Sequence, residues 1–293
     1  MNNKDNEIIR YISLFSGIGG FEYGIQQSKY KDRLVCLAYS EIDKYADSIY
    51  RKRFPSRVVK GLHTHTPLGD ITKVRTSDLP DFELLVGGFP CQAFSIAGKR
   101  RGFDDTRGTL FFEIARILKD KRPKYFLLEN VKGLLSHDKG QTFKTMLGVL
   151  SDLGYDVKWE VLNSKNFVPQ NRERIYIKGY FRGKCGGEVL SPSGTSGEAD
   201  TKMSAIVSPT RNGKLVSVNG TLTATDRHGV YDGYRVRRLT PVECERLQGF
   251  PDFWTSVGVD DEVISNTQRY KCLGNAVTTN VITHIFNNWD LIC

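Results

Sequence analysis

Six cysteines stand at positions 36, 91, 185, 244, 272 and 293, and one of them has a setting suited to chemistry. Cys91 closes the turn Gly87-Gly88-Phe89-Pro90-Cys91-Gln92, directly after an apolar run that reads as a buried strand. Ligands of open α/β sheets bind beyond the carboxyl ends of the strands, so this turn presents a thiol where a ligand would lie. The thiolate is the reactive form, and cationic neighbours favour it. Lys99, Arg100, Arg101 and Arg107 supply such neighbours in a segment punctuated by Gly98, Gly102 and Gly108, which reads as a hinged lid over residues 99–107. Most cysteines are small buried hydrophobes, and Cys36 on a strand and Cys244 on a helix are read that way. There is no C-x-x-C pair. His63 and His65 lack the further ligands of a tetrahedral site, so no metal is expected.

Three other groups have types and positions that matter. Glu129 follows the apolar run 125–128 and again falls at a carboxyl strand end, where a protonated carboxyl could serve as a general acid. Alone it would read as a solvated strand end. Arg172 and Arg174 share one strand face by their period of two, which by itself is ordinary for a surface strand. The turn Phe15-Ser16-Gly17-Ile18-Gly19-Gly20 follows the first strand and opens a helix, letting backbone N–H groups approach a ligand closely. Glu22 stands where a dinucleotide fingerprint needs its third glycine, so the pyrophosphate turn of a nicotinamide enzyme is not matched. Glu41 ends the second strand, where a carboxylate accepts from ribose hydroxyls. A nucleoside without a diphosphate fits this pair of features better than NAD.

The elements needed to hold these residues can be read from periodicity. Strands are expected over 8–15, 34–40, 82–87, 125–128, 157–162 and 174–179, and helices over 43–54, 109–119 and 141–153. This alternation predicts an α/β fold, a Rossmann-like doubly wound and mostly parallel sheet covered on both faces. From 182 the chain turns rich in Gly, Ser and Thr. Asn212-Gly213 and Asn219-Gly220 flank an alternating run at 214–218, a hairpin signal. We expect a catalytic domain over 1–181, a small loop-rich β lobe over 182–235, and a return to the main domain over 236–293. Helices are expected there over 240–247 and 277–286. The 293 residues are 39% hydrophobic and 26% charged, which excludes a disordered tail, a collagen-like fibre and a disulfide scaffold. Lys and Arg (42) exceed Asp and Glu (33), giving +9, a modest excess that allows nucleic acid or an anionic membrane as a partner. The polar N-terminus does not read as a secretory signal, and no apolar run reaches the ~20 residues of a membrane span. A reduced, cytoplasmic, membrane-free protein is expected.

Taken together, these segments resemble the DNA (cytosine-5)-methyltransferase family over nearly the whole chain. The glycine turn is similar to its cofactor loop, Phe89-Pro90-Cys91-Gln92 to its nucleophile motif, and Glu129-Asn130-Val131 to its glutamate motif. Gln170-Asn171-Arg172-Glu173-Arg174 resembles the arginine motif. The run from Arg238 to Pro251 and the segment Gly274-Asn275-Ala276-Val277 resemble the two C-terminal motifs. The resemblance implies S-adenosylmethionine as methyl donor and product S-adenosylhomocysteine, with no metal. It implies Cys91 as the thiolate that adds to carbon 6 of cytosine, Glu129 as the group meeting ring nitrogen 3, and Arg174, with Arg172 beside it, at the cytosine carbonyl. Carried over residue by residue, the cofactor would meet Phe15, Gly17, Ile18, Gly19 and Gly20, then Glu41 and Ile42, Asp70 and Ile71, Pro90, Leu110 and Asn275. The family often has an aromatic where Ile42 stands, so adenine stacking should be weaker or shared with Ile71.

The implied partner is double-stranded DNA, whose target base must leave the stack. Gln92, Ser95, Lys99, Arg100, Arg101 and Arg107 are the candidates on the lid side. Arg211, Lys214, Thr221 and Arg227 are those on the lobe, where charged hairpin tips are an equal reading. Arg51-Lys52-Arg53 reads as a solvated helix end. Only 47 residues separate Arg174 from Thr221, which is short for the family and leaves the target sequence open. The resemblance further suggests a monomer of a bacterial or phage-infected cell, with a cognate restriction endonuclease acting on the same site without contact. A transfer-RNA methyltransferase is the rival, lowered by the lack of that branch's Cys-Phe-Thr element. A catalytically dead DNA-binding relative is disfavoured by the intact Cys91, Glu129 and Arg174.

Overall fold

The computed structural model describes residues 7–90, 110–182, 206–207, 229–231 and 236–291. In chain order the N-terminal part runs β1 (Ile9–Leu14), α1 (Gly20–Gln26), β2 (Leu34–Ser40), α2 (Lys44–Arg53), β3 (Arg57–Val59), β4 (Leu62–Thr64), β5 (Thr66–Pro67) and β6 (Leu84–Gly88). The middle part adds α3 (Leu110–Lys121), β7 (Tyr125–Val131), α4 (Gln141–Asp152), β8 (Tyr155–Asn163) and β9 (Glu173–Phe181). Last come β10 (Ile206–Val207), β11 (Gly229–Tyr231), β12 (Val236–Arg238), α5 (Pro241–Leu247), α6 (Asn266–Asn275) and α7 (Thr279–Asn287).

Seven strands form one sheet in the order β5-β2-β1-β6-β7-β9-β8. The first five are mutually parallel, whereas β9 runs against β7 and β8 against β9. The composition of the strands accounts for which lie in the middle of the sheet and which at its edge. In β1, β2, β6 and β7 nearly every side chain is buried, as a parallel strand covered on both faces requires. β8 is half-exposed along its length and takes the edge.

Alternate residues of each strand feed two different cores. Ile12, Leu14, Leu85, Phe126, Leu128 and Ile177 pack with Ile114, Ile117 and Leu118 of α3 and Met146 and Leu150 of α4. The intervening Tyr11, Leu84, Val86, Leu127 and Tyr176 pack with Phe21 and Ile25 of α1 and Val281, Ile282 and Phe286 of α7. A third cluster joins α2 to α5 and α6 through Tyr39, Ile49, Tyr50, Phe54, Leu247, Phe250, Trp254 and Leu273.

The expected doubly wound, mostly parallel sheet is therefore present, and its strand order reverses between β1 and β6. That reversal opens a crevice at the carboxyl edge, flanked by the turns that follow these two strands. A small antiparallel sheet, β10-β11-β12, lies in the glycine- and serine-rich stretch, with β12 beginning at Val236. The hairpin expected around 214–218 lies outside the described residues. The short β5 was not anticipated, and neither were two larger features. The β3–β4 hairpin turns through Lys60 and Gly61, both at positive φ, in place of the usual Asn-Gly. The other is α6, capped by Ser265, whose few apolar positions give little periodicity.

Candidate active site

At the end of β1 the backbone enters an unusual conformation. Phe15, Gly17 and Gly19 have φ of 56°, 57° and 86°. For a bulky residue such as Phe15 this is a strained state, of the sort retained at functional sites. The three glycines serve different ends. A Cβ on Gly17 would meet nothing within 4 Å, so this residue faces open space. A Cβ on Gly19 would lie 2.2 Å from the Phe54 ring, and one on Gly20 2.6 Å from Val277 Cγ2, so both are pressed by packing. The amide of Ser16 donates to the Ser40 carbonyl at 3.0 Å, tying the turn to β2.

Glu41 sits directly across from this turn. Its Oε2 accepts from the Gly17 amide at 2.8 Å, and its Oε1 accepts from the amides of Ile42 and Asp43 at 2.8 and 2.7 Å. Burial raises its pKa, against the pull of those three N–H groups. Ile42 beside it is 77% exposed, an apolar side chain with no protein cover. Asp43 caps α2 through the amides of Tyr45 and Ala46 and binds Lys271 Nζ at 2.6 Å. Asp70 is occupied locally, accepting from the amide and hydroxyl of Thr72 at 3.0 and 2.7 Å. The Ile71 side chain belongs to the main core, and its carbonyl accepts from Arg116 Nη2 at 3.1 Å. That side chain is thus committed to packing, which leaves Ile42 as the uncovered apolar group. Leu110 opens α3 and is half-buried, while Pro90 and Asn275 are exposed at the ends of β6 and α6.

Across the crevice, β6 and β7 align Gly88 with Glu129. A Cβ on Gly88 would lie 3.1 Å from Glu129 Oε2, so a hydrogen there gives the carboxyl its room. Asn130 is buried and ties the next turn down: its Nδ2 donates to the Phe89 carbonyl at 2.9 Å, two residues before Cys91. Arg174 Nε is 3.1 Å from Glu129 Oε1, yet the N–H is not aimed at it, and Oε1 has no hydrogen-bond partner. Burial raises the Glu129 pKa and outweighs the attraction of Arg174 and Arg172. The arrangement is that of a buried carboxyl whose protonated form burial favours, with one oxygen ion-paired to Arg174.

Arg172 has a different setting from its neighbour. It precedes β9, is buried, and donates to the carbonyls of Gly274 (3.2 and 3.3 Å) and Ala276 (2.8 Å), the two residues flanking Asn275. Burial, then repulsion from Arg174, brings its pKa down to about 10. The structure so brings together Glu129 and Arg174 at one point and the glycine turn with Glu41 and Ile42 at another. Arg172 braces the segment around Asn275. Sequence reasoning missed Asn130, Arg116 and Lys271 as positioning groups, because each acts on an element remote in the chain.

Cys91, Gln92, Ser95, Lys99, Arg100, Arg101, Arg107, Arg211, Lys214, Thr221 and Arg227 lie outside the described residues. Among the described residues no cluster of three His, Cys, Asp or Glu side chains could hold a metal ion. His65 instead packs in the interior with Nδ1 3.0 Å from the Tyr50 hydroxyl, and burial lowers its pKa to about 4. No helix among the described residues is long and apolar enough to cross a membrane. The charge run on α2 is spent on structure: Arg51 pairs with Asp47, Lys52 with Asp261, and Arg53 donates to the carbonyls of Phe253 and Trp254.

Comparison with known proteins agrees with this geometry. The sequence profile of a family described as C-5 cytosine-specific DNA methylase matches residues 9–197 and 192–290. The Type II methyltransferase M1.ScrFI of Lactococcus lactis subsp. cremoris is 40% identical over 96% of this chain and 77% of its own length. The Type II methyltransferase M.NgoBI of Neisseria gonorrhoeae is 41% identical over 92% of this chain and 90% of its own. Among solved structures, the Dnmt2 methyltransferase of S. pombe superposes with a TM-score of 0.66 at 21% identity, covering 95% of this chain and 97% of that one, a likeness of fold. The chain belongs to the C-5 cytosine-specific DNA methylase family and is an S-adenosylmethionine-dependent DNA (cytosine-5-)-methyltransferase.

Proposed function

We propose that Cys91 adds as a thiolate to carbon 6 of a cytosine extruded from double-stranded DNA, so that carbon 5 becomes nucleophilic enough to take a methyl group. The observation that carries this reading is the Glu129 carboxyl, buried, raised in pKa and ion-paired with Arg174 where β6, β7 and β9 meet. Burial favours the protonated form of such a group, which can share its proton with ring nitrogen 3 as sulfur bonds to carbon 6, offsetting the charge that builds on the ring. Arg174 holds that carboxyl and meets the neighbouring carbonyl of the base. After methylation a base from solvent takes the proton on carbon 5, the electrons of that bond restore the 5,6 double bond and expel sulfur as the Cys91 thiolate, and the proton on ring nitrogen 3 returns to Glu129. Asn130 acts earlier, fixing the Phe89 carbonyl and hence the start of the turn that carries the thiol.

The residues around the β1 turn fit the cofactor. Gly17 leaves an open face, Glu41 Oε2 retains one lone pair for a ribose hydroxyl, and Ile42 offers an uncovered apolar surface for adenine. Phe15, Ile18, Gly19, Gly20, Asp70, the backbone of Ile71, Pro90, Leu110 and Asn275 complete the proposed lining. When bound there, S-adenosylmethionine supplies an electrophilic methyl group on its sulfonium. Lys99, Arg100, Arg101 and Arg107 would meet phosphate as the lid closes, with Gln92 and Ser95 near the base. Residues 182–235 would read the target through Arg211, Lys214, Thr221 and Arg227. The relatives named Type II methyltransferases come from bacteria and support a DNA-modification role. A monomer of the bacterial cytoplasm, with a restriction endonuclease acting on the same site without contact, completes the proposal.

Duplex DNA carrying 5-fluorocytosine at the target tests the covalent step, because fluorine cannot leave carbon 5 as a proton does. We expect a denaturation-resistant adduct with the intact chain and none with Cys91→Ala. An adduct that persists in Cys91→Ala, or its absence from the intact chain on a DNA it methylates, would contradict the mechanism.

A further inference from the structure

Trp254 belongs to none of the motifs, lies in the segment between α5 and α6, and is buried in the third core cluster. Its indole Nε1 donates at 3.0 Å to the carbonyl of Ile18, in the middle of the glycine turn. The ring is held from several sides. Phe250 lies 5.2 Å away between centroids, Tyr23 4.9 Å, and Phe54 5.9 Å edge-on. Arg53 Nε donates to the Trp254 carbonyl at 2.9 Å, and its guanidinium stands 5.1 Å from the indole centroid. The same neighbours press on the turn itself. Phe54 fills the space a Cβ on Gly19 would need, and Val277 and Phe250 fill that of Gly20. The turn, with its three positive φ values, is thus moulded on one side by α2 and on the other by the segment around 250–254 and Val277.

We propose that Trp254 is a positioning residue for cofactor binding, its indole fixing the Ile18 carbonyl and with it the shape of the turn from Phe15 to Gly20. The inference rests on reading that turn as part of the cofactor site. A loop with strained dihedrals holds one shape only if its surroundings over-determine it. Removing the indole donor leaves a buried carbonyl short of a partner and lets the turn relax, so that binding must first reorder it. Because the contact is remote from the base, the loss should fall on cofactor affinity and not on the chemical step.

The test is calorimetric titration of S-adenosylhomocysteine onto the full chain, Trp254→Phe and Glu41→Ala, with steady-state kinetics on the first two. Trp254→Phe should bind roughly five- to tenfold more weakly, the equivalent of one net buried hydrogen bond. Its kcat at saturating cofactor and its KM for DNA should stay within about twofold, a split that a merely structural role would not produce. The chain has three tryptophans, so Trp159→Phe with Trp289→Phe leaves Trp254 as the sole emitter. Its emission should shift as S-adenosylhomocysteine binds, and this measurement stands even if Trp254→Phe fails to fold. Unchanged affinity in Trp254→Phe, or silent emission while heat reports binding, would overturn the proposal if Glu41→Ala binds weakly. Should Glu41→Ala also bind like the parent chain, the cofactor reading itself fails and carries the inference down with it.

Discussion

Glu22 lies in the first turn of α1, just past the last glycine of the turn after β1, and neither of its carboxyl oxygens has a hydrogen-bond partner. Ser13 on β1 and Tyr50 on α2 stand nearby and oppose the effect of burial, but neither is placed to satisfy the carboxyl, and Tyr11 and Cys36 complete its surroundings. Burial pushes its pKa up to about 7. A carboxyl whose pKa is higher folded than unfolded favours the native state most at low pH. That advantage is lost as pH rises from the unfolded value near 4.5 through the folded value near 7. Glu22→Gln should therefore leave thermal stability at pH 5 nearly unchanged and raise it at pH 8 by up to about 3 kcal/mol. Equal effects at the two pH values in calorimetric melting would show that Glu22 is not titrating in the interior. In the sequence Glu22 was legible only as the residue that breaks a dinucleotide fingerprint. Its burial depends on β1, β2 and α2 closing around it, which no local spacing reports. Glu129 was legible because it adjoins a strand and a motif, but its proton affinity follows from packing against Gly88.

At the scale of elements, the sheet was the most legible part because β1, β2, β6 and β7 are apolar on both faces, a property written in consecutive residues. The antiparallel turn of β9 and β8 was not, since strand direction depends on pairing partners and not on composition. Helix α7 was readable from its apolar stripe, but its docking site was not. It packs on α1 so closely that a Cβ on Gly24 would lie 2.6 Å from Ile282 Cβ and 2.8 Å from the Thr279 carbonyl. The Thr283 hydroxyl also donates to the Gly24 carbonyl at 2.9 Å. In a free helix Gly→Ala would gain roughly 1 kcal/mol. Here the clash involves backbone and a branched side chain, so Gly24→Ala should cost about 1–3 kcal/mol and lower the melting temperature by several degrees. A rise in melting temperature would mean that the two helices are looser than their contact implies.

Over the whole molecule, the chain's last part is built into the site formed by its first. Trp254 reaches Ile18, Arg172 braces the carbonyls around Asn275, and the Tyr30 hydroxyl donates to the Trp289 carbonyl at 2.9 Å. These contacts span more than a hundred residues of chain, and periodicity carries no trace of them. The motifs, in contrast, were legible because their chemistry demands particular side chains at fixed spacing. Arg51, Lys52 and Lys271 are engaged by carboxylates and Arg53 by carbonyls, so these cations serve the fold; residues 99–107 and the lobe are the proposed sites of phosphate contact. The central claim, cytosine-5 methylation of DNA through Cys91, is tested most directly by bisulfite sequencing of DNA from cells expressing the chain or its Cys91→Ala variant. The account predicts protected cytosines at one recurring sequence with the intact chain and none with Cys91→Ala. Equal protection in both, or no protected cytosine in either at full expression, would contradict it.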